Sequence, residues 1–279
     1  MERSELELYL KRLGTYWNHE DNGELKGLQK LHQLHPKHIV FENIDSFMGI
    51  VPSLDIGAIF HKLVTLQRGG YCYEQNILFK NILTNLGFII KMHLARVLWN
   101  SANGKATARS HMMLTTDIKG LKYLVDVGFG SMTLTSPILL QANIEQETPN
   151  GVFRLVNNDI FYQLEVLKEE WLPIYKFSLE EVEKPDLEMA NWFVATGPDS
   201  VFGKSLMISS VDEKSRYSLF NHAFTIRGND GRKESLEITE PDQLRFILAT
   251  HFNLDKLSDQ LLSTMYNKLN EIRIRFQTT

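Results

Sequence analysis

The only cysteine of the chain lies in the stretch Arg68-Gly69-Gly70-Tyr71-Cys72-Tyr73-Glu74-Gln75-Asn76. Behind it, apolar residues recur with the spacing of one helix face and stop at Gly87, a typical helix-ending residue. We therefore expect Cys72 in the first turn of a buried helix, where unpaired N–H groups and the helix dipole stabilise a thiolate. The two glycines before it would permit a tight turn and leave room beside the sulfur. The alternative is a cysteine that packs only as a small hydrophobic residue.

The composition is that of an ordinary soluble globular protein, with 43% apolar and 23% charged residues in a chain of 279. One cysteine excludes an internal disulfide, so we expect a cytoplasmic protein that needs no oxidising compartment. The charged start and the absence of a long apolar run predict neither a signal peptide nor a membrane span. The net charge of −4 is mild and spread out, which gives no basis for binding nucleic acid or an anionic membrane.

The periodicity of apolar residues changes twice along the chain and predicts three segments. Residues 1–87 are mostly helical, with leucines on one face at positions 6, 10 and 13 and again at 25, 28 and 31. Residues 88–202 alternate with period two, which indicates strands, and the alternation changes phase near Ala95, which predicts a β-bulge. Residues 203–279 combine a hairpin around Gly228-Asn229-Asp230-Gly231 with a helix that begins at Pro241. Helices followed by strands favour an α+β fold over a doubly wound parallel sheet.

Three histidines, His32, His35 and His38, share a spacing that suits one helix face. Pro36 interrupts that face and should break any helix there, and no acidic or thiol ligand adjoins the histidines. We therefore predict an irregular stretch over residues 35–45, with solvated or capping histidines and no metal site.

A nucleophilic cysteine needs a base and a group that orients the base, and His111 and Asp126 are the best candidates. They lie on two predicted strands, 111–116 and 123–127, that form a hairpin. If the turn centres between Ile118 and Lys119, the two residues pair directly across the ladder, about 5 Å apart; another turn would shift this register. Asp126 stands in an apolar run and needs a donor or a cation, because burying an unpaired carboxylate is costly. The alternative is that Asp126 only satisfies backbone groups and His111 is a polar residue at a strand end.

Three segments resemble, in the same order, the signature segments of the bacterial-type arylamine N-acetyltransferases. They are residues 68–74, Ser110-His111-Met112-Met113-Leu114 and Val125-Asp126-Val127-Gly128-Phe129-Gly130. The resemblance continues in Val40-Phe41-Glu42-Asn43-Ile44, in Pro173-Ile174-Tyr175-Lys176-Phe177-Ser178-Leu179 and in Pro198-Asp199-Ser200-Val201-Phe202, and it fades towards the end of the chain.

The resemblance implies an N-terminal helical bundle over 1–87, a central β-barrel-like domain over 88–202 and a C-terminal α/β lid over 203–279, with a cysteine-protease-like Cys-His-Asp core. It implies a ping-pong reaction of xenobiotic metabolism, in which acetyl-CoA acetylates Cys72 and an arylamine or arylhydrazine takes the acetyl group. His111 would be the base and Asp126 its orienting acid. No metal takes part in this reaction, and we expect a monomer or a homodimer.

The resemblance also assigns residues around the triad. Phe129, between two glycines, would form an aromatic wall of the amine pocket. Thr107, Ser110 and Tyr217 would contact CoA. Arg68 would pair with Glu42 in a structural ion pair that takes no part in the chemistry.

Two other functions stay open from the residues alone. A cysteine hydrolase or a transglutaminase-like acyltransferase would use the same order of cysteine, histidine and aspartate, and only a site that excludes water favours transfer to an amine. A non-enzymatic scaffold with a decayed triad is the second, although all three triad positions are intact in this chain.

Overall fold

The computed structural model describes residues 3–101 and 107–277, with side chains up to residue 274. The helices are α1 (Arg3–Arg12), α2 (Leu25–His38), α3 (Ile44–Phe47), α4 (Ile56–Phe60), α5 (Cys72–Asn85), α6 (Lys184–Thr196), α7 (Pro241–Phe252) and α8 (Asp259–Gln277). The strands are β1 (Phe41–Glu42), β2 (Ile90–Val97), β3 (Arg109–Ile118), β4 (Leu121–Val125), β5 (Ile138–Leu139), β6 (Gln146–Thr148), β7 (Gly151–Asn158), β8 (Phe161–Leu167), β9 (Trp171–Phe177), β10 (Met207–Val211), β11 (Ser215–Phe220), β12 (Ala223–Gly228) and β13 (Lys233–Glu237).

The larger sheet is antiparallel and nearly closes into a barrel. Its strands follow the order β5-β4-β3-β2-β9-β8-β7-β6. The two edge strands are joined by Gln146 of β6, whose side-chain amide accepts from the Leu139 N–H at 2.7 Å and donates to the Leu139 carbonyl at 2.9 Å. One side chain thus takes the place of a strand pairing between the edges. The predicted α+β class and the barrel-like sheet are confirmed.

The smaller sheet joins the two ends of the chain. Its order is β1-β10-β11-β12-β13, so that a strand of the N-terminal segment pairs with strands of the C-terminal segment. Val40, Ile44 and Phe47 accordingly pack in one apolar core with residues of α7 and α8. The N-terminal segment therefore completes the C-terminal core, and the same stretch of chain reaches the turn before Cys72.

Several local predictions are confirmed. The β-bulge is present as a register shift between Ala95 and Arg96 where β2 pairs with β3. Strands β12 and β13 form the predicted hairpin, and Pro241 begins α7. Across the described ranges, no helix has both the length and the apolar composition needed to cross a membrane.

The predicted helix break at Pro36 is wrong. Helix α2 continues through Pro36 to His38. A proline lacks the N–H that would reach the carbonyl of His32, and its ring crowds that carbonyl. Only two helical residues follow Pro36, so a kink there displaces little of the helix. The prediction of solvated histidines is wrong for His32 and His35, since both are fully buried. Within the described part of the chain, no group of three or more histidine, cysteine or acidic side chains could hold a metal ion.

Candidate active site

Cys72 begins α5, as the sequence predicts, and is 4% exposed. The turn before it is held against the segment around β1, because Gly70 accepts from the Glu42 N–H at 3.1 Å and donates to the Val40 carbonyl at 3.3 Å. Gly69 lies so close to this segment that a Cβ there would stand 2.2 Å from the Val40 carbonyl oxygen. The glycines therefore permit close backbone packing behind Cys72, a role that the sequence interpretation did not assign to them.

His111 of β3 and Asp126, which follows β4, share a buried hydrogen bond of 2.7 Å between Nε2 and Oδ2. The predicted pair is present, but its predicted register is wrong. Lys119 and Gly120, with φ of 53° and 81°, form the two-residue turn of this hairpin, a turn whose central positions require positive φ. The register of β3 against β4 therefore differs by two residues from the assumed one. His111 and Asp126 are diagonal neighbours across the two strands, not direct partners. A shift of two residues keeps every side chain on its face, so the pair is retained.

Electrostatics favour an imidazolium and a carboxylate at this pair. Burial works against a charged His111, but Asp126 outweighs it and, together with a hydrogen bond to Cys72, raises the pKa of His111 to about 10. Burial likewise works against the carboxylate, but His111 and further donors outweigh it, and the pKa of Asp126 is lowered. Those donors are Asn76 Nδ2 and the Gly128 N–H, which reach Oδ1 at 3.0 and 2.9 Å. Both carboxylate oxygens are thus held, one by the imidazole and one by amide groups.

The first turn of α5 contacts the strand that carries the base. The Cys72 sulfur lies 3.9 Å from the carbonyl oxygen of Ser110, the residue before His111. The Tyr73 hydroxyl donates to the same carbonyl at 3.0 Å. The first turn of α5 therefore holds the thiol close to the strand that carries the imidazole of the buried pair, and a cysteine nucleophile needs a base near it.

Two aromatic rings enclose the imidazole. The Phe129 ring meets His111 edge to face, with centroids 5.0 Å apart, and the Tyr175 ring lies 5.0 Å from His111 and 5.4 Å from Phe129. Phe129 is partly exposed and Tyr175 is fully buried. Of these two rings, Phe129 is therefore the one that solvent reaches in part.

Comparison with known proteins gives a consistent result. A family model described as N-acetyltransferase matches residues 24–261. The arylamine N-acetyltransferase of Mycolicibacterium smegmatis is 35% identical over 252 residues, which cover 88% of this chain and 90% of the relative. The chain belongs to the arylamine N-acetyltransferase family. An enzyme of Salmonella typhimurium, described as an arylamine N-acetyltransferase and N-hydroxyarylamine O-acetyltransferase, is 33% identical over 82% of both chains. The solved structure of the Mycobacterium marinum arylamine N-acetyltransferase in complex with CoA superposes with a TM-score of 0.88 at 31% identity, covering 95% of this chain and 99% of that chain.

The residues that the family resemblance assigns to CoA lie in two places. Ser110 is on the strand of the triad base and Thr107 precedes that strand, and both are partly exposed. Tyr217 of β11 donates its hydroxyl to Asp212 at 2.8 Å and stacks on His251 with centroids 5.3 Å apart. The structure thus brings Ser110 to the triad and gives Tyr217 contacts within the C-terminal sheet. A contact of any of the three with CoA stays a prediction.

Three residues to which the sequence interpretation gave no role contact the triad, namely Asn76, His32 and Tyr175. Asn76 stands four residues after Cys72, a spacing that places both on one helix face, and this signal could have identified it. His32 accepts the backbone N–H of Asp126 through Nε2 at 3.1 Å, a contact between residues 94 positions apart that no local pattern announces. We refer to His32, Asn76, His111 and Asp126 as the triad cluster.

A second group of charges, buried in part, lies on the other side of the first turn of α5. It consists of Glu42, Asp45, Lys62, Arg68 and Glu74, which we call the ion cluster. Arg68 contacts Glu42 at 2.7 Å and Asp45 at 2.9 Å, which confirms the predicted Arg68–Glu42 pair. Lys62 contacts Asp45 and Glu74, each at 2.7 Å. Glu74 also accepts the N–H of Tyr71 at 3.1 Å, so the ion cluster fixes the start of the helix that presents Cys72.

Proposed function

We propose that this chain transfers the acetyl group of acetyl-CoA to an arylamine or arylhydrazine by a ping-pong mechanism through an acetyl-Cys72 intermediate. The observation that carries the proposal is the buried His111–Asp126 pair beside a cysteine at the first turn of a helix. Family membership supports acetyl-CoA as the cosubstrate and aromatic amines as the acceptors. A cytoplasmic location and a monomeric or homodimeric state stay predictions.

The first half-reaction acetylates the enzyme. The raised pKa of His111 makes the imidazole a base strong enough to take the proton of Cys72 as the sulfur attacks, which generates the thiolate. The thiolate attacks the thioester carbonyl, the bond between the acetyl carbon and the CoA sulfur breaks, and the leaving sulfur takes the proton from His111. Free CoA, acetyl-Cys72 and a neutral His111 result.

The second half-reaction transfers the acetyl group to the amine. The amine nitrogen attacks the acetyl carbon while neutral His111 takes one of its protons. The bond to the Cys72 sulfur then breaks and restores the thiolate and the imidazolium. Because Asp126 occupies Nε2 of His111, Nδ1 is the atom that exchanges protons with the cysteine and the amine.

The surroundings of the triad favour an amine over water as the acceptor. Cys72 is 4% and His111 3% exposed, and a site that excludes water protects a thioester from hydrolysis. The partly exposed Phe129 ring offers a flat apolar surface to an aromatic acceptor. The predicted role of the C-terminal segment as a lid would add to this exclusion.

Intact-mass spectrometry tests the proposal. Wild-type protein incubated with acetyl-CoA should gain one acetyl group, and the variant Cys72→Ala should gain none. Addition of an arylamine should then remove the adduct and yield the N-acetylated amine. A cysteine hydrolase would instead release free acetate at the same rate with and without the amine. Either this result or an acetyl adduct that persists in Cys72→Ala would overturn the proposal.

A further inference from the structure

The backbone around the triad acid leaves the sheet, and side chains replace the lost strand partner. Pairing between β3 and β4 ends at Leu114 and Val125. The next three N–H groups, of residues 126, 127 and 128, donate to His32 Nε2 at 3.1 Å, Asn76 Oδ1 at 3.2 Å and Asp126 Oδ1 at 2.9 Å. Every one of these donors is therefore satisfied without a neighbouring strand.

The contact with His32 requires a particular state of its imidazole. Nε2 can accept an N–H only when it carries no proton, so the ring must be neutral with its proton on Nδ1. Burial lowers the pKa of His32 to about 4 against the opposing effect of Asp126, which keeps the ring neutral at physiological pH. Other groups facing the ring are His35 on the same helix and the Phe79 ring, which meets it edge to face at 5.8 Å.

Pro36 changes the surroundings of the His32 carbonyl. A proline at this position cannot donate to the His32 carbonyl, so that carbonyl keeps a free lone pair next to the imidazole of its own residue. The His32 carbonyl acts on the ring and favours a proton there. Nδ1 is itself buried and makes no hydrogen bond within the described residues. The tautomer is therefore set by the Asp126 N–H, which needs Nε2 as its acceptor.

We propose that His32 is a positioning residue for the triad acid, holding the Asp126 backbone where its carboxylate reaches Nε2 of His111. This inference rests on the proposed function, since it concerns the same triad. His32 touches neither the cysteine sulfur nor a substrate; it acts through Asp126. Loss of the acceptor would let the backbone of Asp126 move, and a displacement of about 1 Å in a catalytic group costs on the order of 10²-fold in rate.

Three variants separate positioning from simple packing. His32→Leu removes the acceptor at similar volume, and His32→Gln keeps an acceptor oxygen near the position of Nε2. His35→Leu is the matched control, because His35 is equally buried on α2 but bonds to Tyr9 at 2.8 Å and Gln75 at 2.7 Å. The single-turnover rate of Cys72 acetylation should fall by up to roughly 10²-fold in His32→Leu, recover in His32→Gln and stay close to wild type in His35→Leu. Equal losses in His32→Leu and His35→Leu, or no recovery in His32→Gln, would overturn the proposal.

Nitrogen NMR gives a second test, and its first readout, the state of the His32 ring, needs only the wild-type protein. His32 should show a neutral ring protonated at Nδ1, and the downfield proton of the His111–Asp126 hydrogen bond should shift in His32→Leu but not in His35→Leu. A His32 ring protonated at Nε2 or on both nitrogens at neutral pH would overturn the proposal. If the wild-type protein acetylated Cys72 and its His32 ring were in one of these other states, this inference would fail while the proposed function would stand.

Discussion

The two buried charged clusters on either side of the first turn of α5 differ in how they hold protons. In the ion cluster, two cations face three carboxylates, and each cation contacts two of them. Burial alone would lower the pKa values of Lys62 and Arg68. The neighbouring carboxylates outweigh burial and raise both values, so these cations keep their protons. In the triad cluster, one carboxylate orients one imidazole, and the other two members, His32 and Asn76, are neutral.

The two clusters differ in the number of partners that each charged group has, and this difference separates a structural role from a chemical one. In the ion cluster, the two cations are each shared between two carboxylates and keep their protons, while Glu74 also fixes the backbone at the start of α5. A single ion pair held by neutral side chains leaves one nitrogen of the imidazole free for chemistry. Both arrangements act on the same helical turn, since Glu74 belongs to one cluster and Asn76 to the other.

The largest expected effect is on turnover when the triad carboxylate is neutralised. Asp126→Asn should lower kcat on the order of 10⁴-fold, as in the serine proteases, because an amide can present His111 with the wrong tautomer. Steady-state kinetics measure the loss, and circular dichroism checks the fold. Asp45→Asn, the matched change in the ion cluster, should keep wild-type turnover. A folded Asp126→Asn protein with near-normal kcat would contradict the orienting role of Asp126.

The His111–Asp126 pair could be predicted from the sequence because side-chain direction in strands repeats every two residues. The assumed turn between Ile118 and Lys119 was displaced from the real turn by one residue, which moved the register by two. His111 and Asp126 stayed on one face in either register. The helix behind Cys72 was equally predictable, because its apolar residues recur with helical spacing.

The support of the triad could not be predicted in the same way. His32 and Asp126 lie 94 positions apart, and only the packing of α2 against the end of β4 brings them together. Pro36 gave a misleading signal, since only two helical residues follow it and a kink there displaces little of α2. Asn76 is the exception, because its spacing from Cys72 is a local pattern.

The second prediction concerns stability and the ion cluster. Arg68→Ala leaves Glu42, whose side chain is fully buried, without its cation. Loss of one partner of a buried pair costs about 3–5 kcal/mol, so the free energy of unfolding in urea should fall by about that amount. Acetylation of Cys72 by the folded protein should change far less than in Asp126→Asn.

A double variant sharpens this test. Adding Glu42→Gln to Arg68→Ala removes the unpaired charge and should recover part of the lost free energy. If Arg68→Ala alone cost less than about 1 kcal/mol, the ion cluster would behave as a solvent-screened surface network, and the comparison between the two clusters would fail.

The third prediction concerns selectivity on the triad side. Phe129→Ala removes an apolar surface worth roughly 1–3 kcal/mol to an aromatic acceptor. It should change the order of kcat/KM values among arylamines more than it changes acetylation of Cys72 by acetyl-CoA. Equal losses in both half-reactions would indicate that Phe129 only supports His111, whose ring it contacts at 5.0 Å.

The smallest expected effects are pH slopes of opposite sign in the two clusters. Burial lowers the pKa of His32 from 6.5 to about 4, so the stability that His32 contributes is complete above pH 6.5 and is lost as the pH falls towards 4. Burial raises the pKa of Glu74 from 4.5 to about 7, against the effect of Lys62. The contribution of Glu74 is therefore complete below pH 4.5 and is lost as the pH rises through 7. Between pH 5 and 6 the two contributions offset each other in the wild-type protein.

Urea unfolding of two glutamine variants at pH 5, 5.5 and 6 separates these contributions. Each slope can change by at most about 1.4 kcal/mol per pH unit, the free energy of one shifted proton. In His32→Gln the free energy of unfolding should rise less, or fall, as the pH increases, because the group that loses its proton on folding is gone. In Glu74→Gln it should rise more steeply. The slope of the free energy of unfolding against pH depends only on the difference in bound protons between the folded and unfolded states. Hydrogen bonds lost in either variant therefore shift the whole curve up or down without changing the sign of its slope. Slopes that move in the same direction in both variants would show that the two clusters do not hold protons in opposite ways.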